Sequence, residues 1–219
     1  MRNQKSINAV AAVTTVGALA WLYLFFNPRP ARIDERPHRV AGEVLAAEAA
    51  RWMQPGGRLF VISRAATSHQ MPAAQAQLNG LMQALKKAKI KVFALRSLGI
   101  DPLRVTAVPP SEFIDLFRQS KENDVIISLL GPPILSADQI AQLGPKRPLI
   151  LAMCSGATPA RVNLKALFEQ KLLTAAVVSL PDAPAQTRAG NARVSFDQMF
   201  KLITAANISE LPSMAMTQP

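Results

Sequence analysis

Cysteine and histidine are scarce in this chain of 219 residues, which contains one cysteine, Cys154, and two histidines. A single cysteine cannot form an intrachain disulfide, so cysteine usage does not indicate the redox compartment. A structural zinc site needs about four cysteine or histidine ligands, and these scattered residues do not provide them. We therefore expect no metal centre, and a core held together by apolar packing.

Aromatic and acidic residues are also sparse. Aromatics make up 5% of the chain, and 14 acidic residues stand against 25 basic ones, for a net charge of +11. Binding of single-stranded nucleic acid relies on aromatic stacking platforms, so we do not expect a nucleic-acid partner. The basic residues are dispersed apart from the lysines at 86, 87, 89 and 91. The excess charge favours an anionic partner, such as anionic lipid or an anionic ligand.

Common catalytic fingerprints are missing. The sequence has no G-x-G-x-x-G, no G-x-x-x-x-G-K-[ST] and no G-x-S-x-G motif, the signatures of nucleotide binding and of a hydrolase nucleophile. Only Asp101 and Asp182 supply carboxylates at expected strand ends, whereas metal-assisted phosphoryl transfer and glycoside hydrolysis use paired acids. We therefore expect no cofactor and no catalytic residues, and the balance favours a protein that is not an enzyme.

Charge is absent from the segment Ile7 to Phe26, INAVAAVTTVGALAWLYLFF. About 20 helical residues span the ~30 Å hydrocarbon core of a bilayer, and Trp21 and Tyr23 match an interfacial aromatic belt. The segment predicts one transmembrane signal-anchor helix, with the lipid bilayer as a partner. The A-x-A sequence at residues 18–20 leaves a cleaved signal peptide as the alternative.

Composition divides the rest of the chain into a basic N-tail at 1–6, a Pro/Arg-rich juxtamembrane linker at 27–38, an α/β domain at 39–207 and a loose tail at 208–219. Basic residues on both sides of Ile7–Phe26 leave the orientation open under the positive-inside rule. A short basic tail before an apolar core is typical of a signal-anchor. We therefore expect a single-pass protein of the cell membrane with its domain outside the cytoplasm, in the periplasm.

Strand and helix patterns alternate along the domain. The predicted strands are Arg58–Ser63, Ile90–Leu95, Val125–Leu130, Pro148–Met153 and Ala175–Leu180. The predicted helices are Arg39–Gln54, Pro72–Ala88, Ser111–Glu122, Ser136–Leu143, Thr158–Gln170 and Ser195–Ala206. The strands are apolar throughout, as in strands buried on both faces, and the long crossovers imply parallel pairing. The pattern predicts a three-layer α/β/α domain with about five parallel strands.

Ligands of open parallel sheets bind beyond the carboxyl ends of the strands. The small and polar residues expected there are the candidate ligand-binding residues: Ser63, Arg64, Ser68, Gly131, Ser155, Gly156 and Thr158. In the run Cys154–Pro159 small residues lead into a helix start, which suits an anion, although an ordinary strand-to-helix turn needs the same residues. A nucleophilic Cys154 with His69 as base is an alternative. The predicted strand order would start their loops ~10 Å apart, so packing is the simpler role for Cys154.

The stretch Leu78 to Ser136 contains a helix that ends in basic residues, LNGLMQALKKAKIKVFAL, and then SEFIDLFRQSKENDVIISLLG. This succession of helix, strand, helix and strand resembles one lobe of the type I periplasmic binding proteins. The resemblance implies a Rossmann-like α/β fold and a small ligand. Members of that family have two lobes and bind the ligand in the cleft between them, whereas this chain has room for one lobe.

Three functional hypotheses follow. The first is a membrane-anchored, non-catalytic binding or scaffold domain that serves as an accessory to a membrane protein complex. The second is an enzyme that acts on a phosphate- or acyl-bearing substrate at the strand-end loops. The third is a single-lobe protein that binds a small ligand.

Overall fold

The computed structural model describes residues 13–23, 33–65, 71–99, 108–156, 158–181, 183 and 191–211. The chain forms two units, Met1–Arg32 and Ile33–Pro219. The described part of the first unit is helix α1, residues 13–23, which extend over roughly 16 Å at ~1.5 Å per residue. Across these described ranges, no helix has both the length and the apolar character needed to cross a membrane. The predicted transmembrane helix Ile7–Phe26 is therefore wrong; its residues 7–12 and 24–26 lie outside the described ranges.

The second unit is built on a six-stranded sheet with the order β2-β1-β3-β4-β5-β6. Its strands are β1 Leu59–Arg64, β2 Val92–Leu98, β3 Val125–Ser128, β4 Leu149–Cys154, β5 Ala175–Ser179 and β6 Phe200–Thr204. The first five are parallel, as the apolar runs predicted, and β6 pairs antiparallel with β5. The predicted helix Ser195–Ala206 is wrong in its second half, because the helix ends at Met199 and the chain continues as β6.

Helices cover both faces of the sheet. One face packs against α2 Glu35–Trp52, α3 Pro72–Lys87 and α8 Ala192–Met199. The other packs against α4 Pro110–Gln119, α5 Ala137–Gln142 and α7 Leu164–Glu169, together with the 3₁₀ turn Ala205–Glu210. The short helix α6 Thr158–Arg161 precedes α7 and has no buried residue. Each face of the sheet has its own apolar core. Neighbouring strand residues such as Val61 and Ile62 belong to different cores, because successive side chains of a strand point to opposite faces. This is the three-layer α/β/α arrangement that the sequence predicted for the domain.

The predicted single helix Thr158–Gln170 is broken into α6 and α7. Asn163 lies between the two helices, and its Oδ1 accepts a hydrogen bond from the Ala166 amide at 3.1 Å. This interaction caps the start of α7, and a side-chain cap at that position marks a new helix N-terminus. The consequence is that α6 is only four residues long.

Helices α2 and α3 approach each other closely because each carries a glycine at the contact. A Cβ added to Gly42 would meet the carbonyl oxygen of Gln77, and a Cβ added to Gly80 would meet the carbonyl oxygen of Arg39. The crossing brings His38 of α2 to 3.5 Å from Gln77 of α3, measured from Nδ1 to Nε2. The close contact therefore fixes one wall of the carboxyl edge of the sheet.

The opposite, amino edge contains a buried ion pair. The side chain of Asp124 is 1% exposed and accepts hydrogen bonds from the Arg58 amide at 2.8 Å, from Arg58 Nη2 at 2.6 Å and from the Lys121 amide at 2.8 Å. Burial acts to raise the pKa of Asp124, but these hydrogen bonds outweigh it and hold that pKa below its ordinary value. The pair joins the start of β1 to the loop before β3.

Candidate functional site

A cavity of about 500 Å³ lies where β1, β3 and β4 end; we call it the carboxyl-edge cavity. Arg64 closes β1, residues 129–131 follow β3, and Ser155 and Gly156 follow β4. The first turns of α2 and α3 complete the wall. Small-molecule sites commonly occupy about 300–1,000 Å³, and the crevice beyond the carboxyl ends of parallel strands is their usual position. This cavity is therefore the candidate site of the domain.

The structure gathers most of the predicted ligand-binding residues around this cavity. Those that line it are Arg64, Gly131, Ser155, Gly156 and Thr158. Ser63 is not among the lining residues, because it is 1% exposed within β1 and its Oγ lies 3.5 Å from the Oγ of Ser97. Ser68 lies outside the described residues. The structure thus places five of the seven predicted residues around the cavity, whereas Ser63 lies inside the sheet.

Two glycines shape the loops of the cavity. Gly131 has φ +108° and Gly156 has φ +62°, in the range where a side chain is strained. A Cβ on Gly131 would lie 3.7 Å from Cγ2 of Thr158, so the loops after β3 and β4 are in contact. The amide of Thr158 donates to the carbonyl oxygen of Ser155 at 3.3 Å, which makes this an ordinary tight turn. The turn leads into α6, which is too short to have a strong helix dipole, so side chains must provide most of any grip on an anion.

The described lining of the carboxyl-edge cavity is basic. It includes Arg64 and Arg161 and no aspartate or glutamate. Burial lowers the pKa of His38 despite the opposing charges of Asp34 and Glu35, so His38 is neutral at pH 7. Gln77 is 5% exposed and points its amide at His38. The described wall thus combines positive charge with several neutral polar groups.

Apolar side chains form the rest of the wall. They come from the start of α3 and from the ends of β3 and β4: Met71, Leu129, Leu130, Pro132, Ile134 and Met153. A mixture of apolar surface and a few convergent polar groups is typical of sites for small organic molecules. The arrangement suits a compact polar solute that can also bury some C–H surface.

Cys154 does not belong to this site. It is fully buried at the end of β4, within the core beneath α4 and α7. Burial raises the pKa of its thiol to about 12, so the thiolate needed for nucleophilic attack does not form near neutral pH. His69, the suggested base, lies outside the described residues. The hypothesis of an enzyme that uses Cys154 therefore has no structural support, and packing explains this residue.

Several lining residues were not anticipated from the sequence. The sequence pattern assigns His38 to the linker 27–38, yet α2 begins at Glu35 with Asp34 as its N-cap. The signal was present in the sequence, since Asp is a preferred cap and proline, here Pro37, is tolerated in the first turn of a helix. Gln77 and Arg161 lie on helices, and they reach the cavity only because of how these helices pack on the folded sheet. No local sequence pattern indicates that either residue lines the cavity.

Neither a protein-family model nor the sequence of a curated protein matches this chain. Several solved structures do. The arabinose-binding protein AraP from Geobacillus stearothermophilus is 14% identical with a TM-score of 0.52, over 80% of this chain and 63% of that one. The sugar-binding protein of a sugar ABC transporter from Bacillus halodurans is 14% identical with a TM-score of 0.52, over 80% and 64%. An ABC transporter solute-binding protein from Burkholderia graminis, solved with D-arabinose, is 13% identical with a TM-score of 0.50, over 80% and 62%.

These matches concern the fold. At this identity they show that the chain has an α/β fold similar to that of solute-binding proteins of ABC transporters. The resemblance to a lobe of the type I periplasmic binding proteins, predicted from Leu78–Ser136, is confirmed at that level. The chain spans less than two thirds of the length of these structures. No specific family motif accompanies the resemblance.

Proposed function

We propose that the domain binds a small polar solute, of about the size of a monosaccharide, in the carboxyl-edge cavity. The observation that carries the proposal is the convergence of Arg64, Ser155, Thr158 and Arg161 around about 500 Å³ at three neighbouring strand ends. Two structural neighbours, each with a TM-score of 0.52, are an arabinose-binding protein and a sugar-binding protein. Their shared fold supports a sugar-like solute for this chain. The proposal replaces the first hypothesis, the membrane-anchored scaffold, for which the described residues provide no spanning helix.

The charge of the cavity refines the class of solute. The described lining contains Arg64 and Arg161 but no aspartate or glutamate. This excess of positive charge favours a negatively charged ligand, because an arginine fork such as that of Arg161 can bind a carboxylate or phosphate in a bidentate manner. A sugar acid combines such a group with hydroxyls for Ser155 and Thr158. We therefore expect an acidic monosaccharide to bind more tightly than a neutral one.

A single lobe contacts its ligand from one side. Without a second wall the ligand keeps much of its water, and only part of the available hydrogen bonds can form. We expect a dissociation constant of about 0.1–1 mM, which corresponds to roughly −4 to −5.5 kcal/mol of binding free energy. Submicromolar binding by the isolated chain would require a second protein surface over the cavity.

The test is a thermal-shift titration of the full chain with galacturonate, an acidic monosaccharide, and with arabinose, a neutral one. Ligand at about 100 times its dissociation constant stabilises the folded state by about 2.7 kcal/mol, which is easily measured. Arg161→Gln and Thr158→Val should remove most of the galacturonate shift. Arg118→Gln is the matched control, because Arg118 is a 70% exposed arginine on α4 outside the cavity lining. Equal shifts in Arg161→Gln and wild type, or no shift with either sugar, would contradict the proposal.

We further propose that the domain lies outside the cytoplasm and passes its solute to a membrane protein. The support is the fold shared with solute-binding proteins of ABC transporters. A C-terminal alkaline phosphatase fusion is active only outside the cytoplasm, so an inactive fusion alongside an active cytoplasmic reporter would overturn this location.

A further inference from the structure

A second cavity, of about 870 Å³, lies at the other end of the sheet; we call it the amino-edge cavity. Leu149 at the start of β4, Thr174 just before β5 and Thr204 at the end of the antiparallel β6 all line it. Strands of this length separate the two edges by roughly 16–20 Å. The amino-edge cavity is therefore physically distinct from the carboxyl-edge cavity, and nothing in the proposed function uses it.

Arg147 is the most rigidly held cation in the amino-edge cavity. Its Nε donates to the Gly144 carbonyl at 2.8 Å, its Nη1 to the Gln170 carbonyl at 3.2 Å and its Nη2 to the Ile140 carbonyl at 3.4 Å. These three hydrogen bonds fix the plane of the guanidinium. A guanidinium has about five N–H donors, so further donors remain for a ligand. No carboxylate forms an ion pair with Arg147 among the described residues. Its positive charge is thus held in place with no counterion from the residues that the structure describes.

Two further cations flank Arg147. Arg51 forms a 3.8 Å ion pair with Glu48, its guanidinium carbon lies 5.6 Å from the centroid of the Trp52 ring, and its side chain is 69% exposed. Lys171 sits at a turn with φ +56°, and it makes no ion pair within the part of the chain that the structure describes. Glu122 is the one carboxylate in the described lining. The rim therefore has an excess of positive charge directed at a common space.

The body of the amino-edge cavity is apolar. Trp52 lies beside this space and is held by a hydrogen bond from its Nε1 to Glu48 at 3.1 Å. Phe168 and Leu173 supply further apolar surface. A tryptophan ring beside arginine and lysine offers apolar contact for a ligand ring and hydrogen bonds for an oxyanion. A fully hydrophilic anion would leave the apolar part unused, and a neutral hydrocarbon would leave the cations unpaired.

We propose that the amino-edge cavity is a second binding site, for a small molecule that combines an apolar ring with a carboxylate or phosphate group. The ring packs against Trp52 and Phe168, and the oxyanion lies among Arg51, Arg147 and Lys171. The site is separate from the carboxyl-edge cavity, so its occupancy does not depend on the sugar-like solute proposed above.

The fluorescence of Trp52 allows a direct test. The chain has two tryptophans, so a full-length Trp21→Phe variant leaves Trp52 as the only one. Titrations use benzoate and phenyl phosphate as ring-bearing oxyanions, and benzyl alcohol as an uncharged molecule of similar shape. We expect a saturable change in Trp52 emission with the anions, at least tenfold weaker binding of benzyl alcohol, and weaker anion binding at high salt.

Variants identify the cations. Arg51→Gln and Lys171→Asn should each weaken benzoate binding by about fivefold, the upper range for one solvent-exposed charge; asparagine tolerates the left-handed backbone at position 171. Lys165→Gln is the matched control, because Lys165 is a 70% exposed lysine on α7 outside the cavity lining.

Three results would overturn the second site: no saturable change with either anion, equal affinity for benzyl alcohol and benzoate, or unchanged affinity in both cavity variants. Galacturonate serves to separate the two proposals. If it shifts the melting temperature but does not compete with benzoate, the two sites are independent. If benzoate binding is lost in Ser155→Phe, which alters only the carboxyl-edge cavity and adds no tryptophan to the assay, the assignment of benzoate to the amino edge fails.

Discussion

The α2–α3 crossing provides the sharpest test of the packing that positions the site. In Gly42→Ala the new Cβ would meet the Gln77 carbonyl oxygen and lie 2.6 Å from the backbone nitrogen of Leu81. Both obstacles are backbone atoms, so no side-chain rotation relieves the clash and the two helices must move apart. Such a shift also separates His38 from Gln77 and opens the wall of the carboxyl-edge cavity.

The magnitude follows from two opposing effects. Overpacking in a close interface costs about 1–3 kcal/mol, and a backbone-to-backbone clash belongs at the upper end of that range. Alanine gains about 1 kcal/mol over glycine in helix propensity. We therefore expect Gly42→Ala to lower the free energy of unfolding by about 2 kcal/mol. Gly80→Ala should behave alike, because its Cβ would meet the Arg39 carbonyl oxygen.

Urea denaturation followed by circular dichroism measures this loss. Gly99→Ala is the matched control: its Cβ has no atom within 4 Å, so it should be neutral or more stable by up to about 1 kcal/mol. The double variant Gly42→Ala/Gly80→Ala should cost less than the sum of the singles, because separated helices accommodate the second methyl group. A Gly42→Ala protein as stable as wild type would refute the close crossing.

Two further predictions concern buried ionisable groups. Asp124→Asn should cost about 3–5 kcal/mol at pH 7, because it breaks a buried ion pair and leaves Arg58 without its carboxylate. The pKa of Asp124 in the folded protein is below its ordinary value of 3.8, so its carboxylate stabilises the fold fully above pH 3.8, and this stabilisation is lost as the pH falls through the folded pKa. Urea midpoints measured from pH 6 to pH 3 should therefore fall less steeply in Asp124→Asn than in wild type. Equal slopes would contradict this prediction. Complete burial raises the pKa of the Cys154 thiol to about 12. This thiol should therefore not react with iodoacetamide in the folded protein at pH 8, but it should react in urea. Mass spectrometry measures the labelling, and labelling of the folded protein would contradict the burial of Cys154.

The strand pattern was readable from the sequence because burial on both faces produces uninterrupted apolar runs. The predicted strands Arg58–Ser63 and Pro148–Met153 are examples. They overlap β1 and β4, which both lie inside the sheet rather than at its edges. Strand β6 was missed because Phe200–Thr204 continues directly from a helix with no turn residue between them. Its antiparallel pairing with β5 depends on contacts distant in sequence, which local periodicity does not report.

The carboxyl edge of the site was predictable for the same reason that the strands were. Once the strands are placed, Arg64, Gly131 and Ser155 must follow them at one edge. Gln77 and Arg161 reach the cavity only through the crossing of α2 with α3 and the break between α6 and α7. Gly42 and Gly80 were the sequence features that could have signalled this crossing, because a glycine inside a helix costs stability unless a close contact requires it.

The apolar segment Ile7–Phe26 shows the limit of composition as a guide. Its lack of charge satisfied every sequence criterion for a spanning helix, and the described helix, residues 13–23, does not have the required length and apolarity. The amino-edge cavity was missed for a different reason. Arg51, Arg147 and Lys171 are far apart in sequence and meet only when the loops before β4 and β5 come together with the end of α2.

The central claim is that one small polar solute binds at the carboxyl ends of β1, β3 and β4. Isothermal titration calorimetry of galacturonate into the full-length wild type and into Ser155→Trp tests it most directly, because Ser155 is exposed at the cavity mouth and an indole there fills the space. We predict one solute bound per wild-type chain and no measurable heat with Ser155→Trp, at an unchanged urea midpoint. Unchanged affinity in Ser155→Trp, or no binding by the wild type, would contradict the claim.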